Sequence, residues 1–327
     1  MYDSQIKNTF LAFILAGIFL FGCTGSSQQS PTVEIPTATP DRESLIPPGQ
    51  VKITPETDLY PVHSETSEYT DPVPLPYPVN TAGAEDSAFI TPDGSTLYVW
   101  FTPDVNKPPE QQLTDGVTGI YVFQRVDGGW STAKRVMLQD PGRLALDGCE
   151  VIMGDRMLFC TAREGYTGIH WFSAEYANGQ WGNWQPADFS PDYQVGELHI
   201  TVDGMELYFH SDRSGGQGGF DIWVSRNVNG EWQMPENVAI VNSPETDGWP
   251  FISPDGLELW FTRGNGAPSL WRSLKVDGEW TAPVQMFSQF SGEASMDIDG
   301  NIYFTHHYYK DNVMREADIY VASRVAP

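Results

Sequence analysis

Positive charge is scarce in this 327-residue sequence: 18 Lys and Arg stand against 43 Asp and Glu, a net charge of −25. A field of that sign repels nucleic acid and anionic membrane surfaces, and it leaves cations, neutral sugars and basic proteins as candidate partners. Long apolar runs are scarce too. The stretch Phe10 to Phe21 has the length of a signal h-region and is too short to span a bilayer, and no second run is longer. Cysteine occurs three times and never as Cys-x-x-Cys, and no His-x-x-x-His is present, so the usual zinc spacings are missing. Gly215, Gly216, Gly218 and Gly219 precede no Lys-Ser/Thr and read as turn glycines rather than a phosphate loop. No nucleophilic serine elbow occurs.

What is present begins with an export signal over residues 1–22. Lys7 precedes the apolar run, and Leu20-Phe21-Gly22-Cys23 resembles the bacterial lipobox, in which the cysteine is acylated; Phe21 departs from the small residue usual there. The expectation is an exported chain, lipid-anchored through Cys23 to the periplasmic or extracellular face of the cell envelope, simple secretion being the alternative. Residues 23–70, rich in Ser, Thr, Pro and Glu, read as a disordered tether, since they bury too little apolar surface to offset their ordering entropy.

Residues 71–327 repeat. Asp127-Gly128, Asn178-Gly179, Asn229-Gly230 and Asp277-Gly278 each precede a tryptophan, Trp130, Trp181, Trp232 or Trp280, at intervals of 51, 51 and 48 residues. Such dipeptides between alternating apolar residues predict hairpins with type I′ turns, which need positive φ at both central residues. A second series predicts an inner hairpin in each unit. Asp93-Gly94, Asp203-Gly204, Asp255-Gly256 and Asp299-Gly300 each precede an apolar strand, and Gly154-Asp155 is a degenerate copy. Five inner hairpins against four outer ones leave the last unit one strand short. Val73 to Asn80 resembles the outer strands of the other units and can supply it, its prolines being tolerable at an edge. The expected fold is all-β: a five-bladed β-propeller of four-stranded antiparallel blades, the last closed by an N-terminal strand.

Ser253-Pro254-Asp255-Gly256 with Leu259-Trp260-Phe261, and Leu207-Tyr208-Phe209-His210-Ser211-Asp212-Arg213 followed by Phe220-Asp221-Ile222-Trp223, resemble the WD40-like PD40 repeats of TolB-type propellers. The resemblance covers about residues 80 to 327. It implies a propeller and an envelope location, and it implies no single activity.

In this topology the starts of the first strands and the loops between second and third strands share one rim. Alignment on the inner turns places Asp147, Glu197 and Glu293 at one position near the start of strand one, with Ser87 and Trp249 in the other two units. Glu85 and Asp247 lie two residues earlier, on the same strand face. These carboxylates are expected to converge on the channel mouth, as a structural network, a Ca²⁺ site or a glycosidase acid and base. Asp86, Asp147 and Glu197 match the Asp, Asp, Glu order that five-bladed furanosidases carry on their first three blades, although Asp86 is one residue out of step. The catalytic candidates are Asp86, Asp147, Glu197 and Glu293. The candidate binding rim is His199, His210, Arg213, Asp247, Trp249, His306, His307 and Tyr308, the last three opening a loop with Tyr309. Arg163, Arg213 and Arg263 lie in loops of this rim and are expected to pair with neighbouring acids, a bidentate clamp on an anionic ligand being the alternative. Cys149 and Cys160 align with His199 and His210 and form a disulfide if the hairpin register pairs them, or stay two buried thiols if it slips.

The functional expectation is a non-catalytic binding or scaffold module, acting as a monomer on an envelope protein or a glycan. Its contact with the membrane is through the anchor alone. The alternative is a glycosidase using the channel carboxylates. No cofactor is expected beyond a structural Ca²⁺.

Overall fold

A computed structural model describes residues 41–187, 189 and 195–326. The expected export signal, the expected lipidation site at Cys23 and the first part of the expected tether lie outside the described residues.

The described chain is all-β, and its sheets are built from antiparallel meanders. Five inner hairpins form: Ala84–Ile90 with Thr96–Thr102, Ala145–Met153 with Arg156–Arg163, Leu198–Ile200 with Glu206–Ser211, Asp247–Ile252 with Glu258–Arg263, and Ser291–Met296 with Ile302–Lys310. Each second strand pairs onward with a third, respectively Gly119–Val126, His170–Ala177, Asp221–Val228, Ser269–Val276 and Val313–Ala322. Outer segments then cover the third strands. In the last unit the cover is Val73–Pro74, whose Val73 lies opposite Val321, so the strand missing from the C-terminus is supplied from the N-terminal side. The five first strands adjoin one another in chain order, and Ser291–Met296 returns against Ala84–Ile90.

Alternation explains why these segments are strands. Leu97, Val99 and Phe101 are fully buried, as are Leu207 with Phe209 and Leu259 with Phe261, the period of two that a sheet face requires. The repeated tryptophans join units. Trp181 packs against Tyr98 of the preceding unit and Trp280 against Tyr208, at ring-centroid distances of 6.3 and 6.0 Å.

Turn chemistry holds at three of the four outer turns: Asn178-Gly179, Asn229-Gly230 and Asp277-Gly278 all have positive φ at both residues. At Asp127-Gly128 only the glycine does. A further tight turn, unread in the sequence, stands at Asp311-Asn312, with φ of 55° and 60°. It lets the second strand of the last unit run on to Lys310, so His306, His307, Tyr308 and Tyr309 lie in a strand and not in a loop.

Composition predicted a tether as far as residue 70, yet from Asp41 onward the segment is laid against the domain. Arg42, Val62 and Tyr69 are buried, and Ser64 and Tyr69 bridge to Phe287 and Arg324. Long-range partners hold it there: Val62 and Tyr69 join an apolar cluster with Trp260 and Phe287, Arg42 pairs with Glu85, Lys52 pairs with Glu316 and Asp318, and Asp58 meets His306. Local composition carries no sign of partners that are up to 266 residues away.

Candidate functional site

A pocket opens where the five first strands meet. Its empty volume, mouth included, is about 450 Å³, and Ser87, Glu150, Glu197, His199, Trp249 and Glu293 are among the residues that line it. All five strands contribute. Their side chains are aimed by a repeated bulge: register shifts fall between Asp86 and Phe89, Gly148 and Val151, Gly248 and Phe251, and Gly292 and Ser295. Ser87, Cys149, Trp249 and Glu293 accordingly hold φ near 50–57°, a left-handed conformation that L-residues adopt at a cost.

The bulge corrects the alignment of the second unit. Its inner turn joins paired Ile152 and Met157 through four residues, two fewer than the six between paired Ile90 and Leu97. Everything before it therefore shifts by two positions. Cys149, not Asp147, matches Glu197 and Glu293, and it is bonded to Cys160. Asp147 instead matches Glu85 and Asp247, and these three buried acids each meet a guanidinium. Asp147 pairs with Arg163 at 2.9 Å, Asp247 with Arg263 at 2.6 Å and Glu85 with Arg42 at 3.2 Å. Asp147 and Asp247 are thereby removed from the pocket.

Glu150 enters in their place, and the sequence reading missed it. Both its carboxyl oxygens are buried without a hydrogen-bond partner among the described residues. Its signal was the short turn, which puts the residue after the bulge cysteine at the pocket wall.

Three of the four predicted catalytic carboxylates do converge. Trp249 Nε1 donates to Glu197 Oε1 at 3.0 Å, and the Ser87 hydroxyl donates to Glu293. Burial pushes Glu197 and Glu150 up to about 8, with the negative charge of Asp86 adding to both. Burial, with Asp86 and Glu197 adding, raises Glu293 well above the carboxylate range. Asp86 goes the other way. Burial opposes its charge, but His307, whose Nε2 lies 3.6 Å from Oδ2, and hydrogen bonds from Thr305 and Ser87 hold it below the ordinary value. The cluster thus sets one carboxylate held below its ordinary range beside three pushed above theirs.

Asp86, Glu293 and His307 also present ligand atoms within 4.8 Å of one another, the one such metal-compatible group found among the described residues. Two carboxylates and an imidazole suit a borderline cation such as Zn²⁺ better than the all-oxygen shell that Ca²⁺ takes.

The predicted rim divides. His199 and Trp249 line the pocket, and His199 stacks on Phe89 and meets Phe251 at a tilt, its ring pushed down to about 3 by burial. His307 faces Asp86. The others serve packing: His210 is buried between Phe220 and Trp249, with Trp249 N 3.2 Å from Nδ1. His306 is buried against Asp58, and the Tyr308 hydroxyl donates to Asp318 at 3.0 Å. The Arg213 guanidinium lies 5.0 Å over the Trp223 ring. His306 and Tyr308 were expected on a rim because a loop was predicted where the chain makes strand.

No protein-family model matches this sequence, and no curated protein matches it. Solved structures similar to it include TolB from Acinetobacter baumannii, 14% identical with a TM-score of 0.39 over 75% of this chain; the match spans only 55% of that protein. The endo-arabinase from Bacteroides thetaiotaomicron is 14% identical with a TM-score of 0.48, over 77% of this chain and 98% of that one. An α-L-arabinofuranosidase from Podospora anserina, solved with cellotriose, is 10% identical with a TM-score of 0.42, over 79% and 96%.

Proposed function

We propose that the chain is a five-bladed β-propeller of four-stranded blades, the last closed by Val73–Pro74, and that its central pocket binds one ring of a neutral glycan. The cyclic order of first strands and their shared pocket support the blade count. The observation that carries the ligand is the pairing of aromatic faces with carboxyls in one cavity: Phe89, Trp249 and Phe251 beside Glu150, Glu197 and Glu293. A sugar presents apolar C–H faces to rings and hydroxyls to polar groups, and a protonated carboxyl both donates and accepts. Export and anchoring through Cys23 would display the domain at the envelope.

A second reading, glycoside hydrolysis, is favoured by the split in protonation. Asp86 held ionised beside Glu197 held protonated is the division of labour that a general base and a general acid need. One experiment separates the two. The chain is titrated with neutral oligosaccharides, arabinofuranosides included, following both affinity and released sugar, for the parent and for Trp249→Ala, Glu197→Gln and Asp86→Asn. Binding that Trp249→Ala abolishes, with no release, supports the module. Release lost in Asp86→Asn and Glu197→Gln assigns hydrolysis instead. Absence of binding at millimolar sugar refutes both.

A further inference from the structure

A second cavity, independent of the central pocket, lies where the loop after the first unit's second strand meets the start of the second unit. Its empty volume is about 450 Å³ with its mouth, and its polar lining is Gln112, Thr114, Thr118, Arg135, Gln139 and Arg143. No Asp or Glu lines it, in a chain that carries 43 of them. Two arginines facing one cavity without an acid run against the composition of the whole molecule.

Arg135 is the central group. It sits in the two-residue outer strand Lys134–Arg135, opposite Tyr121, and its guanidinium carbon lies 5.6 Å from the Tyr121 ring centre. Its Nη1 is buried and has no hydrogen-bond partner among the described residues. Leaving a guanidinium donor unpaired away from water costs free energy unless a ligand or solvent completes it. The backbone makes room for this placement. Gly119, at φ 138°, lies so close to the guanidinium that a Cβ there would fall 1.8 Å from Nη1.

The neighbours leave the site available to an anion. Asp115, the acid on the adjoining loop, has its oxygens engaged by the backbone N–H of Val117 and Thr118 and by the Thr118 hydroxyl. Arg143 pairs with Glu164 at 2.7 Å, but the two side chains are 61% and 48% exposed, and such surface pairs exchange partners at little cost. Glu150 feels the charge of Arg135 yet makes no hydrogen bond to it.

We propose that this cavity binds the carboxylate of an acidic sugar, with Arg135 as the half-buried fork, Arg143 at the mouth, and the Thr and Gln side chains facing the sugar hydroxyls. Arginine meets a carboxylate through two parallel N–H donors. A single negative charge enters the field of this acidic protein at lower cost than the double charge of a phosphate. The site is separate from the central pocket, so its failure and that of the glycan reading are distinguishable.

The test is calorimetric titration of the whole chain at fixed ionic strength with glucuronate, glucose and inorganic phosphate, alongside the NMR signal of the Met137 methyl group, which belongs to the cavity lining. Glucuronate is expected to bind in the millimolar range and shift Met137, while glucose does neither. Arg135→Gln weakens glucuronate at least tenfold, Arg143→Gln two- to threefold, and Trp249→Ala leaves it unchanged. Should Arg135→Gln fail to fold, the Met137 shift in the parent and the Arg143→Gln effect carry the decision. No glucuronate binding at 50 mM, binding unmoved by either arginine substitution, or phosphate binding in its place overturns the proposal.

Discussion

Replacing Arg42 tests whether the segment before residue 71 is part of the domain. Its guanidinium pairs with Glu85, both side chains being no more than 3% exposed, and donates to the carbonyls of Pro78 and Val79. It also lies 4.8 Å over the Phe101 ring. Removing one partner of a buried pair costs about 3–5 kcal/mol, because the other charge is left without compensation. At about 2–4 °C per kcal/mol for a chain of this size, Arg42→Met is expected to lower Tm by about 6–20 °C at pH 8. The pH dependence separates charge from packing. Glu85, pushed up to about 7 by burial in spite of Arg42, is neutral at pH 5 and needs no counter-charge there. The loss should therefore shrink to about 1 kcal/mol at pH 5, the worth of the remaining hydrogen bonds. Calorimetric melts of Arg42→Met, Glu85→Gln and the double variant at both pH values give the coupling directly. A shift below 1 °C at pH 8, or one equally large at pH 5, would refute the assignment and return residues 41–70 to a tether.

Stability should also fall as pH rises from 6.5 to 8. Glu150 and Glu197, raised from 4.5 to about 8, take up protons on folding in that window, and each costs about 1.4 kcal/mol per pH unit as the proton becomes scarcer. His199 and His210, lowered from 6.5 to about 3, destabilise the fold only as pH drops below 6.5, so they offset the carboxyls between 4.5 and 6.5 and not above. Melts in which Glu197→Gln fails to flatten the slope between pH 6.5 and 8 would contradict the burial argument. Reduction of Cys149–Cys160, which closes a loop with a sequence separation of 11, should remove about 3 kcal/mol and loosen the Cys149 bulge. Dithiothreitol that leaves both Tm and sugar affinity unchanged would show the bond to be idle. Lys52→Met should lower Tm most above pH 7, since it strands Glu316, itself raised to about 7 by burial, and Asp318. An equal loss at pH 5 would assign the effect to packing.

Periodicity and turn residues made the strands legible in the sequence alone. Asn178-Gly179 and Asp277-Gly278 specify their hairpins through local backbone preference, and the count of inner against outer turns pointed to Val73–Pro74 as the missing strand, which pairs as expected. Asp86, Glu197 and Glu293 were legible as converging acids because their positions follow from strand period and repeat spacing. Three features were not. Two residues missing from one turn moved Asp147 out of the pocket and Glu150 into it, since every side chain before the turn changes place with its length. Asp311-Asn312 carried strand where loop was predicted, and the alternation along it sent His306 to Asp58 and His307 to Asp86. The third is the charge complement of residues 41–60, which depends on buried partners supplied from distant strands. Local backbone and side-chain period decide which segments are strands, and residues near in sequence suffice for that. Which acids stay ionised, which arginines find partners and which face a cavity follow from burial and distance, and those exist only once the chain has folded.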